Sequence, residues 1–431
     1  MDIKGQIDEQ SIAKYNEYLK PMKQIRKKQE RGMIIFFLVC IVIGAFIGVG
    51  AGILDDKGTF SLEAIKPFEL PKGMGILYYV AFVFYIIVTM PLHTIIHEVG
   101  HLVFGLLTGY RFLSFRIFSF TIVMKGGKIA IKKLKVPGTM GQCLMYPPEW
   151  KEDKPYPYTL YNLGGGLLNL ISCVLVTPLF FTGSPLWIWI AGLFVFFGLI
   201  FAITNVVPMT LGIPNDGKNC LDCKRSKEAR RALYLQLKIN ADMSDGAELI
   251  DFPIETFQVQ EPEGKKISAL IAYLHLQEYY WYLAKGREED AKAVLTSLEQ
   301  KREKMITAYV NTIDLERLYF MALQKAPIEE IAAYYTVLRP ALLQNTDLSV
   351  LRVKYVYYLL LSEEERENVE WLAFSKKGKL PKKLPKQKKP ITAEKIYEDM
   401  LEGAKKHPVA GEAKLYMQLT EAIKERDKND N

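Results

Sequence analysis

The residues with the clearest capacity for chemistry are His97, Glu98 and His101, in the segment HTIIHEVGHLVFGLLTGY that runs from His93 to Tyr110. Residues four apart lie on one face of a helix, so the two imidazoles can take neighbouring corners of a tetrahedral Zn²⁺ site. Glu98 then lies beside the metal without having to bind it. From there it can take a proton from water and pass it to a leaving amine. The spacing predicts a hydrolytic site with one Zn²⁺ per chain.

The surroundings of this motif are apolar, because Glu98 is the one formally charged side chain between Ile76 and Tyr110. An ionisable group inside a membrane span costs at least about 2.5–3.5 kcal/mol. A metal would relieve that cost by pairing with each polar group. A buried polar network between helices is the simpler alternative. His93, four residues before His97, could bind the metal, support it or pack between helices, and the spacing does not choose among these roles.

Four uncharged runs are long enough to span a bilayer, and we predict spans at 33–54, 76–107, 158–182 and 185–208. The segment before the first run, KQIRKKQERG, is strongly basic, and residues 111–154 are again rich in Lys and Arg. Short basic flanks mark the cytosolic side. The pattern predicts a multi-pass protein with both termini in the cytosol, and it places His97 and His101 near the cytosolic face.

A third protein ligand must come from another part of the chain. The last apolar run ends AITNVVPMTLGIPNDGKNC, and Asp216 follows shortly after Asn205-x-x-Pro208. A carboxylate at the cytosolic end of this span would lie at the depth of His97 and His101. The alternative is an ordinary Asn-Asp-Gly turn that leaves the membrane.

In these residues the chain resembles the site-2 protease family of intramembrane zinc metalloproteases, over roughly residues 33–220. The family carries HExxH on one core helix and a third ligand, an aspartate, in an N-x-x-P…D-G element of a later helix. The resemblance implies His97, His101 and Asp216 as zinc ligands and Glu98 as general base. It also implies a bacterial plasma-membrane protein.

The same resemblance implies a role for Asn169. Family members often have a G-P-x-x-N element on the intervening helix, and this chain has Gly165-Gly166-x-x-Asn169 within LGGGLLNL. Asn169 would then donate a hydrogen bond to the scissile carbonyl or its oxyanion. Two features depart from the family: Gly166 stands where proline is usual, and the gap from Asn205 to Asp216 is a few residues longer than is common.

Between the second and third spans the sequence changes to an alternating pattern. In FSFTIVMKGGKIAIKK, Phe118, Phe120, Ile122 and Met124 fall on one face, and Gly-Gly separates two β-rich runs. This pattern predicts a β-hairpin at about 115–135. The stretch from 136 to 157 is broken by Pro and Gly and is predicted to be a loop.

The fold class that we predict is mainly α: a four-helix membrane domain (33–219) with a small β-hairpin insertion, and a helical cytosolic domain (220–374). Residues 1–32 form a cytosolic juxtamembrane segment, 375–390 a Lys/Pro-rich linker and 391–431 a C-terminal helical segment. Alanine and aromatic positions within 267–342 resemble helical repeats of the tetratricopeptide type. Such an array binds a protein partner; a plain helical cap fits the sequence equally well.

The net charge of +8 is local, since SKKGKLPKKLPKQKKP at 375–390 holds eight lysines and no acid. The linker is either simply solvated or binds anionic lipid at the cytoplasmic leaflet. No aromatic residue is interleaved with the lysines, so we expect no nucleic-acid partner. Cys220-x-x-Cys223 has no second pair to complete a thiolate zinc site, and we expect ordinary thiols there.

The sequence therefore predicts an intramembrane zinc metalloprotease whose substrate is a transmembrane or membrane-inserted peptide, cleaved near the cytosolic leaflet. Hydrolysis needs an extended peptide, which the edge of the 115–135 hairpin could hold as an added strand. The alternative from another class is a non-catalytic membrane scaffold, with a structural metal site and a partner-binding helical domain. A transporter that uses Glu98 and the histidines as a relay is a third reading, and no internal repeat supports it.

Overall fold

Most of the described chain is helical, and a small four-stranded antiparallel sheet interrupts the helices, in agreement with the predicted mainly α class. This computed structural model divides into two units, residues 30–230 and residues 1–29 with 231–431. The residues that the structure describes are 7–27, 30–31, 34, 38, 75–125, 128–133, 140–260, 267–375, 379–385 and 391–430.

The elements are numbered in chain order. The helices are α1 (9–27), α2 (Gly75–Leu107), α3 (Tyr158–Val176), α4 (Pro185–Val206), α5 (Asp216–Arg225), α6 (Lys227–Ser244), α7 (Ala269–Ala284), α8 (Glu288–Lys301), α9 (Thr307–Leu323), α10 (Ile328–Gln344), α11 (Leu348–Leu360), α12 (Glu363–Ala373), α13 (Ala393–Lys406) and α14 (Ala410–Asp430). The strands are β1 (Arg111–Ile117), β2 (Phe120–Lys125), β3 (Lys128–Lys133), β4 (Gly141–Tyr146), β5 (Thr210–Leu211) and β6 (Ile213–Pro214).

Within the described residues, three helices are long and apolar enough to cross a membrane: α2, α3 with its 3₁₀ extension, and α4. Their apolar stretches are Tyr79–Leu107, Tyr158–Phe181 and Leu186–Val206. They coincide with three of the predicted runs. The predicted first span, 33–54, lies outside the described residues except for Ile34 and Leu38. Helix α4 ends at Val206 because Pro208 disfavours helical backbone at Val207, which is extended.

Glycines bring α2 and α3 into backbone contact. A Cβ at Gly100 would lie 2.3 Å from the carbonyl oxygen of Gly164, and a Cβ at Gly165 would lie 2.4 Å from a ring atom of His97. Small residues allow this close approach between apolar helices. The two helices are antiparallel, since His93 contacts Asn169 at one level while Gly100 contacts Gly164 further along. The motif histidines thus face α3.

The sheet has the strand order β3-β2-β1-β4, with neighbouring strands antiparallel. Its register pairs Phe115 with Ile122 and with Cys143, and Met124 with Ile129. Strands β1 and β2 are joined by a two-residue turn in which Phe118 has a positive φ of 52°. Strands β1 and β4 both pack against α2, and β4 is the outer strand at that end of the sheet.

The predicted hairpin at 115–135 is present as β2 and β3, but the sheet is larger than predicted. Phe118 lies in the β1–β2 turn and not on the strand face assigned to it. The predicted loop at 136–157 contains β4, so that part of the prediction is wrong. The separating glycines Gly126 and Gly127 lie outside the described residues. Pairing between strands 25 or more residues apart, such as Arg116 with Gln142, leaves no local signal in the sequence.

The helical unit contains α7–α14 and most of α6, and the stretch 267–342 with repeat-like positions forms the consecutive helices α7, α8, α9 and α10. Gly286, with φ of +70°, follows the end of α7. In the core, Glu316 accepts hydrogen bonds from the hydroxyls of Tyr279 (2.7 Å) and Tyr280 (2.8 Å) and pairs with the fully buried Arg352. A buried charge needs such partners.

The N-terminal segment 1–32, predicted to be a separate juxtamembrane piece, contributes α1 to the helical unit. Tyr15, Leu19 and Met22 recur on one face of α1 and are each 2% exposed. Arg26 donates to the carboxylate of Asp314 over 3.0 Å. At the other end of the chain, the predicted segment 391–431 forms α13 and α14. Of the predicted linker 375–390, the structure describes Ser375 and 379–385.

Candidate metal centre

Three side-chain atoms converge at one point between α2 and the start of α5. The Nε2 atoms of His97 and His101 are 3.1 Å apart. Asp216 Oδ2 lies 3.2 Å from the first and 3.3 Å from the second. Both histidine side chains are 10% exposed and that of Asp216 is 24% exposed. The structure therefore brings together the three residues that the sequence nominated as ligands.

The dimensions of this triangle fit a metal ion. In a tetrahedral site with bonds of about 2.0–2.1 Å, neighbouring ligand atoms lie about 3.3–3.4 Å apart. The three observed separations are 3.1, 3.2 and 3.3 Å. Within the part of the chain that the structure describes, no other set of three His, Cys, Asp or Glu side chains converges in this way. Cys220 and Cys223, which follow on α5, are free thiols outside the triangle.

Helix α3 orients both imidazoles. His101 Nδ1 lies 2.7 Å from the backbone carbonyl of Tyr161. A proton on Nδ1 satisfies that carbonyl and leaves the lone pair of Nε2 for a metal, which is the usual outer-shell device for a histidine ligand. The His97 ring lies against the backbone of Gly165. Its Nδ1 is buried and has no hydrogen-bond partner among the described residues.

Asp216 is placed by the residue before it. The side chain of Asn215 donates to the carbonyls of Thr204 and Val207, over 2.6 Å each. Its Oδ1 accepts from the backbone N–H of Met209 (3.0 Å) and of Lys218 (2.9 Å). Asn215 thus caps the N-terminus of α5 and fastens it to the end of α4.

The extra length between Asn205 and Asp216 forms a small hairpin. Strands β5 and β6 pair antiparallel on either side of Gly212, which has φ of +83°. The chain therefore turns back towards the end of α4. Gly217 then passes beneath α4, where a Cβ would lie 2.0 Å from the carbonyl oxygen of Val206. The insertion is absorbed in this hairpin, and Asp216 still reaches the histidines.

The Asp216 carboxyl is suited to remain ionised. Burial raises its pKa, but the neighbouring His101 and then His97 outweigh burial, and the pKa of Asp216 lies well below its ordinary value of 3.8. Ionised carboxylate is the form that binds a metal.

Glu98 faces the sheet. It is 8% exposed, and the backbone of β4 passes so close that a Cβ at Gly141 would lie 2.7 Å from its Oε1. Arg116 on β1 is 1% exposed and donates to the carbonyls of Phe118 (2.9 Å) and Gly141 (3.4 Å). Burial lowers the pKa of Arg116, and the nearby charge of Glu98 opposes that shift. A buried guanidinium therefore lies within electrostatic range of the proposed base.

His93 belongs to a separate contact one helical turn from the triangle. Its Nδ1 lies 3.1 Å from Asn169 Oδ1, and its Nε2 lies 2.9 Å from the carbonyl of Phe194 on α4. Both ring nitrogens of His93 therefore contact groups other than Asp216. Of the three roles that the spacing left open for His93, the structure supports packing between helices.

Asn169, which the sequence nominated as an oxyanion donor, is fully buried against His93. Its Nδ2 has no hydrogen-bond partner among the described residues. It lies one turn of α3 from Gly165, the residue that contacts the His97 ring. The structure does not bring Asn169 into the ligand triangle.

Sequence reasoning missed three residues that support the site: Asn215, Arg116 and Gly165. The asparagine before Asp216 was a usable signal, because Asn is a preferred N-cap. The glycine run in LGGGLLNL was another, since Gly164, Gly165 and Gly166 face Gly100, His97 and Val206 respectively. No pattern distinguishes Arg116 from an exposed arginine on a strand.

Comparison with models of protein families, with curated proteins and with solved structures finds no match to this chain.

Proposed function

We propose that this protein is an intramembrane zinc metalloprotease that hydrolyses a peptide bond of a membrane-embedded protein or peptide, as its resemblance to the site-2 protease family implies. The observation that carries the proposal is the triangle of His97, His101 and Asp216 with Glu98 beside it. The two histidines and Glu98 lie on α2, which is long and apolar enough to cross a membrane, and Asp216 begins α5, shortly after another such helix, α4. A polar cluster in such surroundings is a functional site by default.

His97, His101 and Asp216 would hold the ion through Nε2, Nε2 and Oδ2. Bound zinc would supply Lewis acidity that polarises the scissile carbonyl and strengthens water as an acid near neutral pH. Two imidazoles and a carboxylate also suit Fe²⁺. The carboxylate of Glu98, which hydrolysis needs and iron oxygenation does not, favours zinc.

Glu98 would move the proton. Its carboxylate takes a proton from the attacking water and delivers it to the departing amine nitrogen as the C–N bond breaks. Helix α2 fixes Glu98 next to His97, and β4 limits its side-chain freedom. Arg116 is in place to stabilise the carboxylate form before the first transfer and after the second.

An extended substrate would bind along β4. This strand ends the sheet, and its backbone at Gly141 adjoins Glu98, whereas β3, on the hairpin that the sequence indicated, ends the opposite edge. A peptide added as a strand to β4 would use main-chain hydrogen bonds for binding, and its carbonyls would pass the base. Asn169 is the candidate donor to the developing oxyanion.

Cleavage would occur near the cytosolic leaflet of a bacterial plasma membrane, with both termini cytosolic. The basic flanks of the apolar runs support this orientation. Water would enter through the irregular backbone at 207–215, because non-helical backbone at membrane depth lines a cavity or is covered by protein. In this proposal the helical unit binds a protein partner, and the lysines of 375–390 bind anionic lipid.

The test is the variant Glu98→Gln, which has the same size and keeps a hydrogen-bonding side chain. We expect the purified variant to retain about one zinc per chain, as wild type does, and His97→Ala to lose it. Membrane fragments found by comparing N-terminal peptides of wild-type and Glu98→Gln cells should be absent in the variant. Equal fragments in both strains would refute the protease mechanism, and zinc binding without any Glu98-dependent fragment would favour the scaffold.

A further inference from the structure

A cavity of about 260 Å³ lies in the helical unit, where α10, α11 and α12 meet the described part of the Lys/Pro-rich segment. It is smaller than the roughly 300 Å³ at which pockets for drug-sized ligands begin. Its occupant is therefore a single side chain or a small molecule.

One wall of this cavity is aromatic. The rings of Tyr335 and Tyr357 stack with centroids 5.5 Å apart and an interplanar angle of 16°. Tyr358 meets Tyr357 edge-on, with centroids 5.5 Å apart. All three line the cavity. The face of an aromatic ring carries negative potential and attracts cations.

The charged groups of the lining are mainly acidic. Glu363, Glu367 and Glu370 line the cavity together with one cation, Arg366. The guanidinium of Arg366 is already engaged: it donates to the carbonyls of Tyr358 (2.9 Å) and Leu361 and lies 5.1 Å from the Tyr358 ring centroid. The carboxylates of the lining therefore outnumber its cation by two.

The cavity also offers an apolar rim and a tyrosine hydroxyl that can still form a hydrogen bond. Leu384, Pro385 and Ile391 close one side of the cavity. Tyr357 is 2% exposed, and its hydroxyl has no hydrogen-bond partner among the described residues. An alkyl stem can lie on the apolar rim while a cationic head reaches the tyrosine faces and the carboxylates.

We propose that this cavity is a binding site for an alkylammonium group, meaning a primary amine on a flexible apolar stem. Two sources have this chemistry: a free polyamine, and a lysine side chain presented by a peptide. The tyrosine wall selects the cation, the three glutamates neutralise it, and Leu384 with Pro385 covers its stem. The site is independent of the metal centre and of proteolysis.

The experiment uses the full-length chain in non-ionic detergent micelles, titrated calorimetrically with spermidine and with Nα-acetyl-lysine methylamide. Both probes should bind, and added salt should weaken binding. The Nε-acetylated form of the second probe keeps the stem and loses the charge, so it should bind at least about tenfold more weakly. Equal binding of the charged and acetylated probes would overturn the proposal without recourse to any variant.

Matched variants locate the site. Glu367→Gln with Glu370→Gln keeps hydrogen-bond acceptors and removes two charges, and should weaken spermidine binding at least about tenfold. Glu364→Gln, on the same helix but outside the lining, should leave it unchanged, with unfolding midpoints compared for all chains. Unaltered affinity in the double variant contradicts the assignment.

The two probes separate the two sources, since the one that binds more tightly, spermidine or the lysine derivative, shows whether a free polyamine or a peptide lysine is the ligand. In Lys382→Gln with Lys383→Gln, a rise in probe affinity identifies these two lysines of the chain as competitors for the site, and unchanged affinity excludes them. If no ammonium probe binds to wild type or to this variant, the cavity is not an alkylammonium site.

Discussion

The substitution Gly165→Ala tests the metal centre without touching any proposed ligand. The added Cβ would lie 2.4 Å from His97 Cε1, 2.5 Å from Nδ1 and 2.7 Å from Nε2, whereas ordinary contact begins at 3.4 Å. The ring must therefore withdraw by about 1 Å, the difference between the shortest of these distances and ordinary contact. Metal–ligand distances tolerate only about 0.2 Å, so His97 would cease to be an effective ligand.

We expect zinc affinity to fall at least about 100-fold, the upper end of what is lost when support of a ligand is removed. That corresponds to about 2.7 kcal/mol. The assay is zinc content of the purified chain over a series of buffered free-zinc concentrations, which needs no knowledge of the substrate.

Gly166→Ala is the matched control on the next residue. Its Cβ would meet a methyl group of Val206 at 2.4 Å, and a side-chain methyl can yield where the packed imidazole cannot. Both substitutions gain about 0.8–1.0 kcal/mol of helix propensity. Gly166→Ala should therefore keep wild-type zinc affinity. The reasoning is refuted if the two variants bind zinc equally well while their unfolding midpoints show both to be folded.

The remaining predictions concern the supports around the site and the helical unit. Asn215→Ala removes the α5 cap and the fastening to α4, so we expect a loss of about 1–3 kcal/mol and weaker zinc binding. Asn205→Ala, which breaks one bond within α4, should bind zinc normally; equal zinc loss in both would contradict the role of Asn215. Burial raises the pKa of Cys143 to about 12, so in the folded chain this thiol should resist alkylation at pH 8 and react only on unfolding, as followed by mass spectrometry. Glu316→Gln strips a buried cation of its counter-charge and should destabilise the helical unit by about 3–5 kcal/mol. The pair Glu316→Leu with Arg352→Met should recover most of that loss in thermal unfolding, and failure to recover would show that the charge pair is not the cause.

Spacing along one element was the most informative signal in the sequence. His97 and His101 lie four apart on one helix, so their convergence needed no knowledge of the fold. The apolar runs predicted α2, α3 and α4 for the same reason, since length and composition are local properties. The catalytic role predicted for Glu98 rested on its place in the motif. Its contact with β4 could not be predicted in that way.

Contacts between distant elements were harder to foresee. Asp216 was found because it follows the last apolar run, but the hairpin and the Asn215 clamp that return it to the histidines depend on tertiary geometry. Strand β4 lies among Pro and Gly and shows no clear strand pattern, and its pairing with β1, some 25 residues earlier, leaves no local signal. The roles of His93 and Asn169 could not be predicted without knowing where α4 packs.

The ligands come from parts of the chain made at different times. His101 precedes Asp216 by 115 positions in the sequence, which at about 5–20 residues per second is roughly 6–23 s of synthesis. During that interval α2 carries its polar groups without their carboxylate partner. Helix α3 emerges between the two and presents the Tyr161 carbonyl that His101 contacts. Because α3 is synthesised before Asp216, His101 gains a protein partner before the third ligand exists. Synthesis of this protein therefore includes a stage in which only two of the three proposed ligands are present.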